Sequence, residues 1–399
     1  MLLTRHRRAP GAILLAVTLA ASTALSSCGQ GGNESIVTLT GTEPPTPVGS
    51  GVPQAPSTDP VETPTPTAGG EADGKGKRSP RVIDTIARGL AVPWGLDFFA
   101  NGDAIVTERD TKRVLLISGD RRHRVSVLGI IDEAAPEGEG GLLGVALSPD
   151  FEQDRAVYFY LTTAVDNRIV RSYLIDGGLA PVEVLLDGIP NGFIHDRGRL
   201  AFGPDGYLYA STGESGKPAL AQDRDSLGGK ILRITTDGEP APGNPFGTAV
   251  WSYGHRNVQG LAFDQRGDLW ASEFGGDLVD ELNKVESGAN YGWPRVEGPG
   301  GGRKLTDPQQ TWAVADASPS GLAYADGYLW MAALQGERLW RVRLKGGEAV
   351  DQTPYFVGSY GRMRTIARAP DGTLWLTTSN RDGRGDPVAD DDRILQVRP

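Results

Sequence analysis

One recurring phrase constrains this chain more than any other feature. It is a turn built on Asp, Asn, Gly or Pro, followed by a short strand rich in aromatic and aliphatic residues. It occurs six times, as FANGDAIVTE (99–108), SPDFEQDRAVYFY (148–160), GPDGYLYAST (203–212), DQRGDLWASE (264–273), ADGYLWMAA (325–333) and APDGTLWLTT (369–378). Each has the logic of a hairpin, a residue tolerant of positive φ feeding a pleated run. No helical periodicity of useful length intervenes. Spread over residues 81–399, six phrases give about 53 residues per unit, close to a four-stranded propeller blade with its loops. The expectation is an all-β chain folded as a six-bladed β-propeller. A β-sandwich is the competing arrangement, which regular recurrence disfavours.

The segment before residue 81 has a different character. Arg5, Arg7 and Arg8 precede an apolar run from Ala12 to Leu25, closed by Leu25-Ser26-Ser27-Cys28, which holds the only cysteine of the chain. That run is too short for a membrane span and has the charge and small-residue flanks of a bacterial lipoprotein signal. Residues 1–27 are therefore expected to be removed, with Cys28 lipidated and the protein held outside the cytoplasm on the cell membrane. From 28 to 80 the sequence is mostly Gly, Pro, Thr and Ser, a composition that buries too little surface to order itself. It reads as a tether with a reach of about 40 Å.

Fifty acidic residues against forty basic ones give a net charge of −10, without any Lys/Arg block in the body of the chain. That excludes an electrostatic footprint for nucleic acid. Four histidines, one of them in the leader, leave little for a His-based metal site, so oxygen ligands are the better expectation for any ion.

In a propeller, loops at one mouth of the central channel bring residues distant in sequence together. Polar clusters near blade edges are therefore pooled. His195 has Glu214 at the far end of the same predicted hairpin. A carboxylate on one ring nitrogen would leave the other as a base near neutral pH, although a surface histidine in a polar loop has the same spacing. GHRNVQG (254–260) offers the fork of Arg256 and the amides of Asn257 and Gln259 to an anionic, heteroatom-rich ligand, or to its own turn. In EFGGDLVDELN, Gly275 and Gly276 expose carbonyls beside Asp280, a combination suited to calcium or to a solvated acidic loop. Arg362 and Arg364 face one side of a strand, where they repel unless an anion or solvent lies between them. The late NRDGRGDPVADDDR (380–393) reads as a charged turn.

Together, the ordered series GLLGVALSPDF, H-x-x-GRLAFGPDG, SLGGKILRI, GHRN-x-QGLAF, DELN and NYGWP resembles the soluble quinoprotein glucose and aldose sugar dehydrogenases, over roughly residues 85–397. That family consists of six-bladed propellers that use pyrroloquinoline quinone and calcium. The resemblance implies a PQQ-dependent sugar dehydrogenase that oxidises an aldose to the lactone and passes its electrons to an acceptor. It makes His195 the general base, Glu214 its orienting carboxylate, and Arg256 a stabiliser of developing charge. Arg256, Asn257, Gln259, Glu139, Gln335, Arg362 and Arg364 would contact the cofactor, and Gly275, Gly276 and Asp280 the calcium ion. Glu139 stands where the family commonly has glutamine, Gln335 where it has lysine, Asp316 near a usual Ser or Thr, and Gly276 in place of proline. The gained carboxylates require compensation beside a tri-anionic cofactor. A calcium-dependent lactonase-type hydrolase and a non-catalytic glycan- or protein-binding lipoprotein are the alternatives.

Overall fold

The computed structural model describes residues 79–120 and 122–399. Cys28, the leader and the tether lie outside the described residues. Strand β1 (Arg81–Ala87) opens the described chain. The first blade follows as β2 (Pro93–Phe98), β3 (Ala104–Glu108), β4 (Arg113–Ile117) and β5 (Val125–Ile130). The second is β6 (Leu142–Leu147), β7 (Ala156–Thr162), β8 (Asn167–Ile175) and β10 (Glu183–Ile189), with the two-residue β9 (Gly178–Leu179) pairing on β8. The third is β11 (Leu200–Phe202), β12 (Leu208–Ser211), β13 (Lys230–Ile234) and β14 (Val250–Tyr253), and the fourth β15 (Val258–Phe263), β16 (Leu269–Glu273), β17 (Asp280–Val285) and β18 (Gln310–Trp312). The fifth is β19 (Pro319–Ala325), β20 (Tyr328–Ala333), β21 (Arg338–Lys345) and β22 (Glu348–Tyr355). In the sixth, β23 (Met363–Arg368), β24 (Leu374–Thr378) and β25 (Ile394–Arg398) are completed by β1, which pairs antiparallel with β25.

The six-bladed β-propeller expected from the sequence is what forms. Each recurring phrase is the innermost hairpin of one blade, with its turn between the first and second strands. The second occurrence differs in detail: Pro149-Asp150 leads into a one-turn helix, Phe151–Asp154, instead of a tight turn. The second strands are almost wholly buried, both of their faces being covered by neighbouring blades, so they lose the in-out alternation of a half-exposed sheet. Trp270, Trp330 and Trp375 occupy equivalent phrase positions and are buried. The core is correspondingly divided into six apolar clusters, one between each pair of adjacent blades.

Closure leaves a central channel lined by the six innermost strands. Arg199, just ahead of β11, crosses it. Its guanidinium donates to the carbonyls of Gln259 (3.0 Å) and Trp94 (3.3 Å) and to Thr365 Oγ1 (3.0 Å), and lies 4.2 Å over the Trp94 ring. One side chain thereby ties the third blade to the fourth, first and sixth. On the side where the phrase turns lie, the innermost strands line a cavity of about 510 Å³ that includes Asp97 and Arg368.

Candidate active site

Every candidate residue falls on the mouth opposite the phrase turns. The antiparallel ladder explains why: the start of a first strand, the end of a second and the start of a third share one end of a blade. Glu139 precedes β6, His195 precedes β11, Arg256 and Asn257 precede β15, and Arg362 precedes β23, while Gln259 and Arg364 are second residues of those strands. Glu214 follows β12, Gly275 and Gly276 follow β16, Gln335 follows β20, and Asp280 opens β17.

His195 is nearly buried. Its Nδ1 is hydrogen-bonded to Glu214 Oε1, and its Nε2 has no hydrogen-bond partner among the described residues. The Glu214 N–H donates to the Arg256 carbonyl at 3.0 Å, which couples the third-blade pair to the fourth-blade turn. That turn divides its labour. His255 is structural: it is fully buried, stacked on Tyr291, and bonded through Nδ1 to Glu273 (2.8 Å) and through Nε2 to Ser252 Oγ (2.9 Å). Arg256 lies over the Trp293 ring at 5.3 Å, and its main-chain N–H donates to Glu273. Asn257 is completely buried, yet both its side-chain oxygen and nitrogen lack partners. Gln259 accepts from Ser320 Oγ at 3.2 Å while its Nε2 remains unpaired.

On the facing blades, Arg362 and Arg364 both reach Asp382 Oδ2 at 3.0 Å. Their mutual repulsion is thus offset by a carboxylate from the β24–β25 connection, the segment that sequence reasoning took as a charged turn. Burial pushes the Asp382 carboxyl up, but Arg364 and Arg362 outweigh it and hold it below the usual range. Arg364 Nη1 still lacks a partner, as do Arg197 Nε and Nη1 and Arg256 Nε. Burial pushes the guanidinium of Arg364 well down, and that of Arg197 down too, so both gain from an added anion.

The acidic departures from the family pattern are compensated within the protein. Glu139 Oε1 accepts from Arg384 at 2.6 Å, and Oε2 lies 3.2 Å from Arg197 and accepts the His195 N–H at 2.8 Å. Burial raises this carboxyl, and Arg197, the His195 N–H and Arg384 together drive it well below the carboxylate range. Asp316 pairs with Arg338 at 3.1 Å. Gln335 is exposed, with Ser318 Oγ at 3.4 Å. Asp382, Arg384 and Arg197 are the site residues that sequence reasoning missed. Their pairing spans up to 245 positions, and no local spacing announces it.

The glycine loop is ordered by carboxylates on its amide side. Glu297 accepts from the N–H groups of Gly276 (2.8 Å), Leu278 (2.8 Å) and Val279 (3.0 Å), and Asp280 accepts from Gly275 (2.9 Å) and Ser318 (2.6 Å). Burial raises the Asp280 carboxyl to about 6. The carbonyls of Gly275 and Gly276 accept no hydrogen bond among the described residues. No group of three or more acidic, His or Cys side chains converges to hold a metal among the described residues. An ion here would need backbone carbonyls and ligand oxygens.

The sequence profile described as Glucose / Sorbosone dehydrogenase matches residues 90–389. A solved aldose sugar dehydrogenase from Streptomyces coelicolor, in its PQQ-bound form, is 53% identical with a TM-score of 0.79, covering 80% of this chain and 98% of that one. Quinoprotein glucose dehydrogenase B of Acinetobacter calcoaceticus is 32% identical across 54% of this chain and 52% of its own length. The aldose sugar dehydrogenase YliI of Escherichia coli is 26% identical over 75% and 91% of the two chains. The chain belongs to the glucose/sorbosone dehydrogenase family, whose relatives named here are quinoprotein and aldose sugar dehydrogenases.

Proposed function

We propose that this protein is a PQQ-dependent aldose dehydrogenase that oxidises the anomeric C–OH of a sugar to the lactone, tethered outside the cytoplasm through lipidated Cys28. The observation that carries the reading is the set of buried, unpartnered donors at one mouth: Arg197 Nε and Nη1, Arg256 Nε, Asn257 Nδ2, Gln259 Nε2 and Arg364 Nη1. Leaving so many buried donors unpaired costs about 1–3 kcal/mol each. A flat ligand carrying several carboxylates and ring heteroatoms satisfies them together. The like charge of the arginines, with Glu139 and Asp382 already paired, gives such an anion a favourable field.

Arg362, Arg364 and Arg256 would bind the cofactor's anionic edge, and Asn257 and Gln259 its heteroatoms. Free carbonyls at Gly275 and Gly276 suit a calcium ion shared with the cofactor. When bound, the quinone supplies the hydride acceptor. The protein supplies the proton acceptor: Glu214 holds Nδ1 of His195 in place, and Nε2 takes the proton of the sugar hydroxyl as the C–H electrons leave. Arg256 lies where its charge can stabilise the oxyanion that develops.

Sugar-dependent dye reduction by the purified protein with PQQ and calcium tests this. His195→Ala should lower kcat by about 10²–10⁴-fold. Turnover without added cofactor, or turnover indifferent to the substitution, would overturn the assignment. Cys28→Ser should move the protein out of the membrane fraction.

A further inference from the structure

His195 adopts φ 61°, a left-handed backbone that a non-glycine residue holds only when its surroundings impose it. Two contacts impose it here. The His195 N–H donates to Glu139 Oε2 at 2.8 Å, and the His195 carbonyl lies so close to Gly213 that a Cβ there would be 1.9 Å away. Glu139 is anchored in turn. Its own N–H donates to the Phe193 carbonyl at 3.1 Å, which closes a loop around His195, and Arg197 and Arg384 hold its two oxygens from different blades.

We infer that Glu139 is a positioning residue for His195: its carboxylate clamps the histidine backbone in the left-handed conformation, which keeps Nδ1 on Glu214 and Nε2 facing the mouth. Arg384, reaching over from the sixth blade, fixes the clamp. Both Glu139 oxygens are held by protein donors, which ties the carboxylate to the His195 backbone. The inference rests on His195 being the proton acceptor.

The test compares Glu139→Ala and Glu139→Gln in the loaded full-length enzyme. Loss of the clamp should lower kcat about 10–100-fold, the scale of a misplaced catalytic group. The sugar KM should move less than about threefold, whereas the cofactor Kd, read from tryptophan quenching, should tighten because Arg197 loses its paired anion. Glu139→Gln keeps an oxygen for the His195 N–H and should restore kcat to within about fivefold of wild type. In a His195→Ala background, Glu139→Ala should cost less than about twofold more, because the two act as one unit. A KM change as large as the kcat change, an additive loss in that background, or a glutamine variant as impaired as alanine would each overturn the inference.

If Glu139→Ala does not fold, Glu139→Asp, whose carboxylate is one methylene short, carries the same comparisons. An independent arm needs no turnover. In ¹⁵N-histidine-labelled protein without cofactor, the His195 ring resonances should be single and sharp in wild type, and split or broadened when the clamp is cut. Unchanged resonances would sink the clamp whatever the enzyme's activity, whereas absent wild-type turnover with altered resonances would sink only the sugar-dehydrogenase reading.

Discussion

At the scale of single residues, the site is an arrangement of charges that compensate one another across blades. Asp382 is the clearest case. With both Arg362 and Arg364 at 3.0 Å from one oxygen, it is the anion that allows two arginines to share a wall. Asp382→Asn removes that anion from a buried cluster and should cost about 3–5 kcal/mol, the usual penalty for breaking a buried ion pair. The same variant should recover more thermal stability than wild type when a multiply charged carboxylate ligand is added, which differential scanning with and without PQQ would measure. An equal ligand-induced shift in both proteins would mean that these arginines do not face the ligand. Gly213 is constrained differently, by space. Gly213→Ala puts a methyl 1.9 Å from the His195 carbonyl oxygen, so either strand end or histidine must move. Overpacking of this kind costs about 1–3 kcal/mol, and kcat should fall at least about tenfold because the displaced residue is the proposed base. His195, Arg256 and the Arg362/Arg364 pair stand out in sequence as polar clusters next to predicted strands, but their assigned roles came from the resemblance, since the same spacing fits a solvated loop or turn. Asp382, Arg384 and Arg197 do not stand out, because a carboxylate in a charged turn looks the same whether water or two arginines neutralise it.

At the scale of elements, the recurring phrase and the site motifs occupy opposite ends of the same blades. The turns that announced six hairpins all lie on one face, and the residues with chemistry lie at the other ends of the strands those hairpins contain. This is why the blade count could be read without knowing the function. The closing strand was not legible. The VIDTIA of β1 precedes the first phrase and carries no turn signal, yet it pairs with β25 from Arg81↔Arg398 to Ala87↔Ile394 and buries Ile86 and Ala87 between the sixth and first blades. A strand from the beginning of the described chain thus latches a blade made from its end. Thr85→Pro, opposite Leu395 in that edge ladder, removes the N–H that donates to Asp84 Oδ1 at 2.7 Å and imposes a φ that the strand does not favour. It should lower the unfolding midpoint by about 5 °C or more while leaving the cofactor-facing residues untouched. The measurement is a thermal melt followed by far-ultraviolet circular dichroism. A midpoint unchanged within a degree would mean that the latch contributes nothing.

At the scale of the whole molecule, four desolvated carboxyls fall into two sets with opposite pH responses. Asp97, in the channel below Arg199, accepts from the N–H groups of Leu147 and Phe98 at 2.8 Å each, but burial outweighs those bonds and raises its carboxyl to about 6. Asp196, beside His195, is likewise raised to about 6 by burial despite bonds from Asn167 (3.0 Å) and Gly192 (2.9 Å). A carboxyl raised in the fold binds its proton more tightly there than in the unfolded chain. Its stabilising contribution is complete below the unfolded value near 4 and is lost as pH climbs through about 6. Glu139 and Asp382 are held low by arginines, so their contribution is complete above the unfolded range and is lost as pH falls below it. Both contributions are close to complete only near pH 4, because the first pair's is lost steadily between about pH 4 and pH 6 and the second pair's is lost below about pH 4. The unfolding midpoint of the cofactor-free protein should therefore peak near pH 4, fall by several degrees on going to pH 6.5, and fall again below pH 3.5. Asp97→Asn removes one of the groups that lose stability upward, and should flatten the fall between pH 4 and 6.5 by up to about 3 kcal/mol, the equivalent of a two-unit shift. A midpoint that rises steadily from pH 4 to 6.5 in the wild type would mean that water solvates the Asp97 and Asp196 carboxylates as fully in the fold as in the unfolded chain.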